Sequence, residues 1–204
     1  MHTLSKVLFA IVLSLFSATV VYADPLMSIG GEAWAPIGHI EFCKLNPSEC
    51  GTTDEAAPLY LSKDALELLN QVNQFYNGVI KPASDKEIYS KEEWWSYPQE
   101  IAHTHTYRGD CEDYVLAKRR ALIEHSIAAS SLLITVVKDE HGEGHAVLTV
   151  ETNQGDFILD NRKDEIVRWD ETNYTFLTRQ SSSNAGQWVS ILKELNHTTA
   201  SIRK

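Results

Sequence analysis

The chain opens on an apolar run. Val7 to Val21 is broken only by Ser14, Ser17 and Thr19, with Lys6 just before it. Further on, Leu66, Leu69, Val72, Phe75/Tyr76 and Val79 recur at three- and four-residue spacing. That is the period of a helix with one buried stripe. Ser62 suits the cap at its start, and Gly78 and Pro82 mark its end, so a helix is predicted over about Lys63 to Gly78. A second helix is predicted to open at Gly109-Asp110-Cys111-Glu112-Asp113 and run to about His125. Asp110 suits the N-cap, and Asp113, three residues on, resembles the second half of a capping box. Val115, Leu116, Leu122 and Ile123 fall on more than one side, which predicts burial on two faces.

The period then shortens. Leu132 to Val137, His145 to Glu151 and Asp156 to Asp160 read as strands, the last two joined by a turn at residues 152–155. Ile166 to Trp169 and Tyr174 to Thr178 read as a further pair. Consecutive strands with short turns predict an antiparallel sheet. Helices first and sheet second predict an α+β fold, a cysteine-bearing helix packed on an antiparallel sheet, over residues 61–204. Residues 24–60 are rich in Gly, Pro and Ala and read as an irregular extension lying over that domain. Residues 83–109 read as loop and short helix around an aromatic cluster of Trp94, Trp95 and Tyr97, a core feature or a substrate groove.

The opening apolar run is shorter than the ~20 residues that span a bilayer. With Lys6 ahead of it and Val21-Tyr22-Ala23 offering small residues at a cleavage site, residues 1–23 read as a secretory signal peptide. The expected location is therefore an exported compartment, which the family resemblance given below narrows to the periplasm. The 28 acidic and 18 basic residues give a formal charge of −10, which argues against nucleic acid and anionic lipid as main partners.

Export makes disulfides permissible. Cys43 and Cys50 flank a short segment with a proline and are expected to pair, leaving Cys111 as a free thiol. It is either a buried, inert cysteine or a reactive one. Its place at a helix start favours the second reading, because the dipole and free N–H groups there stabilise a thiolate and can hold an oxyanion. A nucleophilic thiol needs a base, and the base an orienting group. If Glu151 lies opposite Asp156 in the hairpin, Val147 lies opposite Asp160 and His145 shares that face. His145 and Asp160 are then diagonal neighbours roughly 7–8 Å apart at the backbone. A slip of one residue would separate them.

Asp110, Glu112 and Asp113 crowd the thiol, and their charge opposes thiolate formation. They either cap the helix or bind a hard cation such as Ca²⁺, which would cancel that charge. A catalytic zinc is disfavoured. The glycines of His141-Gly-Glu-Gly-His145 argue against the helix a zincin motif needs, and His103-Thr-His105 has no evident third ligand.

Four blocks carry a resemblance: Gly109-Asp-Cys-Glu-Asp-Tyr-Val115, Leu133-Ile-Thr-Val-Val137, Gly142-Glu-Gly-His-Ala-Val-Leu148 and Gly155-Asp-Phe-Ile-Leu-Asp-Asn161. Together they resemble the bacterial transglutaminase-like cysteine proteinases, the group that includes LapG-type periplasmic proteases. The resemblance implies a papain/transglutaminase-like fold, with Cys111 as nucleophile, His145 as general base and acid, and Asp160 as the orienting carboxylate. It also implies Ca²⁺ dependence through Asp110 and Glu112, with Asp113 as a further candidate. The implied partners are a protein or peptide substrate, such as a surface adhesin, and a membrane-bound c-di-GMP receptor. Two other readings share these residues: acyl transfer to an amine, as in transglutaminases, and a non-catalytic Ca²⁺-dependent binding module.

Overall fold

The structure is a computed structural model that describes residues 26–54, 58–102 and 104–192. The signal peptide expected over residues 1–23, and His103, lie outside the described residues. Among those described, no helix is long and apolar enough to cross a membrane. In chain order the elements are β1 (Ile29–Ala33), α1 (Ile37–Leu45), α2 (Lys63–Val79), β2 (Ile80–Pro82), α3 (Asp85–Tyr89), β3 (Gln99–Ile101), β4 (Thr106–Gly109) and α4 (Cys111–Glu124). Then come the strands β5 (Leu132–Lys138), β6 (Gly144–Thr152), β7 (Gly155–Asp160), β8 (Lys163–Arg168), β9 (Thr175–Ser181) and β10 (Asn184–Ile191).

Seven of the strands form an antiparallel sheet in the order β1-β10-β9-β5-β6-β7-β8. Helices α2 and α4 pack against each other and against this sheet. The main core lies between these layers, where Leu69, Leu122, Ile134, Leu148 and Leu159 are buried together. A second cluster, including Val137, Val147 and Ile158, packs with Trp169, Tyr174 and Phe176. Alternate positions of β6 and β7 thus enter different clusters, as a strand covered on both faces requires.

Helix α2 follows its prediction closely. Ser62 Oγ accepts the Ala65 N–H (3.1 Å) at its N-terminus, and Leu69 and Val72 form its buried stripe. Helix α4 is buried continuously from Glu112 to Arg119, so two-sided burial is what the fold contains.

Two expectations are corrected. Residues 24–60 are not simply irregular. Strand β1 extends the large sheet through β10, and α1 buries Gly38, His39 and Phe42 against the core. Glycine and histidine at those buried positions hide the helical period from a hydrophobicity pattern. Cys43 and Cys50 are disulfide-bonded at the end of α1, and Cys111 is the free cysteine. The second correction concerns the late strands. Strand β8 pairs with β7, whereas β9 crosses to the far side of β5, and β10 and β1 complete that edge. A turn over Trp169–Glu171 carries the chain between them.

A small second sheet places β4 between β2, which runs parallel to it, and antiparallel β3. Parallel pairing delivers β2 and β4 to the same edge, with Pro82 beside Gly109. One residue beyond Gly109 is Asp110, and three beyond Pro82 is Asp85.

Candidate active site

Cys111 is the first residue of α4. It lines a cleft of about 260 Å³ with His145, Ala146, Trp95, Glu93 and Pro36 among its walls. Its thiol donates to Glu112 Oε2 (3.2 Å). Burial pushes the thiol well above its ordinary range, and the neighbouring Glu112 and Asp110 charges add to this. The Ala146 backbone N–H, which hydrogen-bonds the sulfur, pulls the other way.

His145 sits near the start of β6, next to Ala146. The hairpin register pairs Leu148 with Leu159, Thr149 with Ile158 and Glu151 with Asp156. This is the register that makes His145 and Asp160 diagonal neighbours. His145 Nε2 and Asp160 Oδ1 are 2.9 Å apart, and both side chains are buried. His145 Nδ1 is buried with no hydrogen-bond partner among the described residues. The bond at Nε2 fixes the tautomer that leaves Nδ1 able to take a proton.

Asp160 is held from several sides. Oδ1 also accepts the Arg162 N–H (3.0 Å), and Oδ2 accepts the Tyr174 hydroxyl (2.5 Å). Burial alone would raise this carboxyl, but the hydrogen bonds from His145 and Tyr174 outweigh it and hold the group below its usual range. Its turn is fastened to α2, where Asn77 Nδ2 donates to the Asp160 carbonyl (3.0 Å) and to Asp164 Oδ1 (2.9 Å). Asn73 Nδ2 donates to the Lys163 carbonyl (2.9 Å), while Asn73 Oδ1 accepts from fully buried Lys118 (2.7 Å). Burial lowers the Lys118 ammonium to about 7, against the opposing pull of Asp160 and Asp164.

The acids around Cys111 do not act as a simple cap. The Asp110 side chain makes no capping hydrogen bond to α4. Its Oδ2 instead accepts the Asp85 N–H (3.2 Å). Asp113 turns to the preceding loop and accepts the Ser96 N–H (3.0 Å). The oxygens of Asp85, Asp110 and Glu112 lie within 4.8 Å of one another. Oδ1 of both Asp85 and Asp110 is buried with no described partner. Burial raises Asp85 to about 6 and Glu112 to about 9, and in each case the Asp110 charge adds to the rise. Asp110 is raised too, by burial first. Clustered carboxyls with orphaned oxygens form a donor set suited to a hard cation. Asp113 lies outside this set, and Asp85 lies within it.

Sequence reasoning missed Asp85 and Tyr174 as site residues. Strand β2 is three residues long, too short for a pattern to reveal the parallel pairing that brings Asp85 to Asp110. Tyr174 precedes β9, whose pairing with β5 rather than β8 is set by the whole sheet and not by local pattern. Trp95 resolves as both of its readings, because it is core and also walls the cleft. His141 lies in the turn before β6 rather than on a helix, and His105 is exposed with a positive φ of 53°.

A half-buried cysteine at a helix start, lining one cleft with a histidine held by an aspartate across a hairpin, suits acyl chemistry at a carbonyl. Residues 29–196 match the family described as bacterial transglutaminase-like cysteine proteinase, and the chain belongs to that family of cysteine peptidases. No curated protein is matched by the sequence. Among solved structures, calcium-bound LapG of Legionella pneumophila matches with a TM-score of 0.51 and 18% identity, over 81% of this chain and 94% of that one. EGTA-treated LapG from the same organism matches at 0.50 and 22%, over 79% and 90%. A third structure of that protein matches at 0.47 and 19%, over 62% and 66%. At these identities the likeness concerns the fold.

Proposed function

We propose that this chain is an exported cysteine endopeptidase acting on a protein substrate through Cys111, His145 and Asp160. The observation that carries the reading is the 2.9 Å contact between His145 Nε2 and Asp160 Oδ1, which leaves buried Nδ1 free beside the Cys111 cleft. Nδ1 takes the thiol proton as the Cys111 sulfur attacks a peptide carbonyl. Free N–H groups in the first turn of α4 meet the developing oxyanion. The imidazolium returns its proton to the leaving amine. A water then attacks the thioester, with His145 again as base. Asp160 stays ionised throughout, held by His145, Tyr174 and the Arg162 N–H, and stabilises the imidazolium.

Asp85, Asp110 and Glu112 are the residues that would hold Ca²⁺. The buried, partnerless Oδ1 atoms of Asp85 and Asp110, with a Glu112 oxygen close to both carboxyls, support this, as does the calcium-bound state of the similar LapG structure. The ion would supply positive charge beside Cys111, where three acids otherwise oppose the thiolate. Release of a surface adhesin and control by a membrane receptor belong to the same proposal through the family resemblance.

The test is to incubate the protein with an extract of exported and outer-membrane proteins and to quantify new N-termini by mass spectrometry. Discrete new N-termini that vanish with Cys111→Ala are expected. Unchanged cleavage by that variant would overturn the proposal. Incorporation of an added primary amine, with no new N-termini, would favour acyl transfer instead.

A further inference from the structure

A larger cavity, of about 570 Å³, lies between the loop after α1 and the C-terminal half of α4. None of its lining residues lines the Cys111 cleft. Arg119 lines it although the residue is only 5% exposed. Its Nε donates to the Leu132 carbonyl (2.9 Å), which anchors the guanidinium. Nη1 and Nη2 hydrogen-bond to no described residue, and they are absent from the sealed, unsatisfied atoms of the interior. They therefore reach the cavity with their donors unused.

The neighbouring acid, Glu49, attracts the Arg119 charge but makes no hydrogen bond to it. Glu49 Oε1 is taken by Arg120 (2.7 Å) and Oε2 by the Tyr97 hydroxyl. Arg120 is itself held over the Tyr97 ring. Arg119 is thus a buried cation with an acid nearby but no anion hydrogen-bonded to its Nη atoms. Such a group is costly without an anion, and its fork of donors matches a carboxylate in two-point geometry. The remaining walls narrow the choice. Glu49, Asp54 and Glu124 line the same cavity and oppose a doubly charged phosphate more strongly than a singly charged carboxylate. Ile123, Ala129 and Ala185 give an apolar wall fit for a short aliphatic side chain, and the Thr52 hydroxyl offers a polar group for a peptide backbone.

We propose that this cavity is a second binding site that takes the free C-terminal carboxylate of a polypeptide ending in a small aliphatic residue, with the carboxylate on Arg119. The site stands independently of the peptidase reading, because it shares no lining residue with the Cys111 cleft.

Titration of the full chain with N-acetyl-alanyl-valine, followed by ¹H–¹⁵N chemical shifts, tests it. Saturable shifts in the residues lining this cavity are expected. The C-terminal amide of the same dipeptide should bind at least about tenfold more weakly, because it loses a charge-assisted bidentate pair. Arg119→Met should lose binding to the same extent. Ala129→Trp, which fills the cavity and leaves Arg119 in place, should abolish it and decides the matter if Arg119→Met fails to fold. Equal binding of acid and amide would overturn the proposal, as would binding retained by Ala129→Trp. Acetate binding as tightly as the dipeptide would reduce the site to a bare anion contact and overturn the peptide assignment.

Discussion

His39 lies in α1, only 1% exposed, between the rings of Trp95 and Trp188. Trp188 Nε1–H donates to His39 Nδ1 (3.1 Å). An indole nitrogen only donates, so Nδ1 carries no proton and the ring is neutral. Burial, with the Arg119 charge second, lowers the imidazole from 6.5 to about 4. The unfolded chain takes up this proton near 6.5 and the folded chain only near 4, so acid favours unfolding between these values. Stability is therefore complete above about pH 6.5, falls as the pH drops, and levels off near 4. Each pH unit is worth about 1.4 kcal/mol, so His39 accounts for about 3 kcal/mol across the window. Other acids titrate in the same range, so the wild type is compared with His39→Gln. Urea unfolding followed by tryptophan fluorescence at pH 7, 5.5 and 4.5 gives the stability difference between the two proteins. Between pH 7 and 4.5 that difference should move by about 2 kcal/mol toward the variant. A difference that stays constant within about 0.5 kcal/mol would refute a buried, neutral His39.

Two further predictions concern the supports of the site. Asn77→Ala removes the donors that tie the Asp160 carbonyl and Asp164 to α2. It should lower kcat several-fold with little change in KM, at a cost of about 1–2 kcal/mol in thermal unfolding, and an unchanged kcat would remove Asn77 from the positioning of Asp160. Gly109→Ala would bring a methyl group to 2.7 Å from Asp113 Cβ and Oδ2, so it should destabilise the chain by about 1–3 kcal/mol in chemical denaturation. Wild-type stability would show that the start of α4 has room to spare.

The parts of this protein legible in the sequence are those set by local chemistry. The stripe of α2 is visible because its buried positions are apolar and its cap is a serine at the expected place. The His145–Asp160 contact is legible because one short turn fixes the register of one hairpin. What escapes the pattern depends on distant chain segments. Helix α1 hides behind Gly38, where a Cβ would lie 2.2 Å from Trp95, and behind His39, buried as a neutral ring. Strand β9 reads as a neighbour of β8, but its place beside β5 follows from packing of the whole sheet. Asp110 and Glu112 stand beside Cys111 in the chain and are legible as a charge cluster. Asp85 joins them only through the parallel pairing of two short strands. Asp110 occupies the N-cap of α4 as read, but its carboxylate is drawn toward the start of α3 and makes no capping hydrogen bond.

The central claim is that Cys111 is a nucleophile served by His145. Alkylation of the purified protein with iodoacetamide at neutral pH in the presence of Ca²⁺, read by peptide mass spectrometry, tests this most directly. The account predicts rapid modification confined to Cys111, because Cys43 and Cys50 are paired, and labelling at least about tenfold slower in His145→Ala. A Cys111 that stays unmodified, or one labelled equally fast without His145, would contradict it.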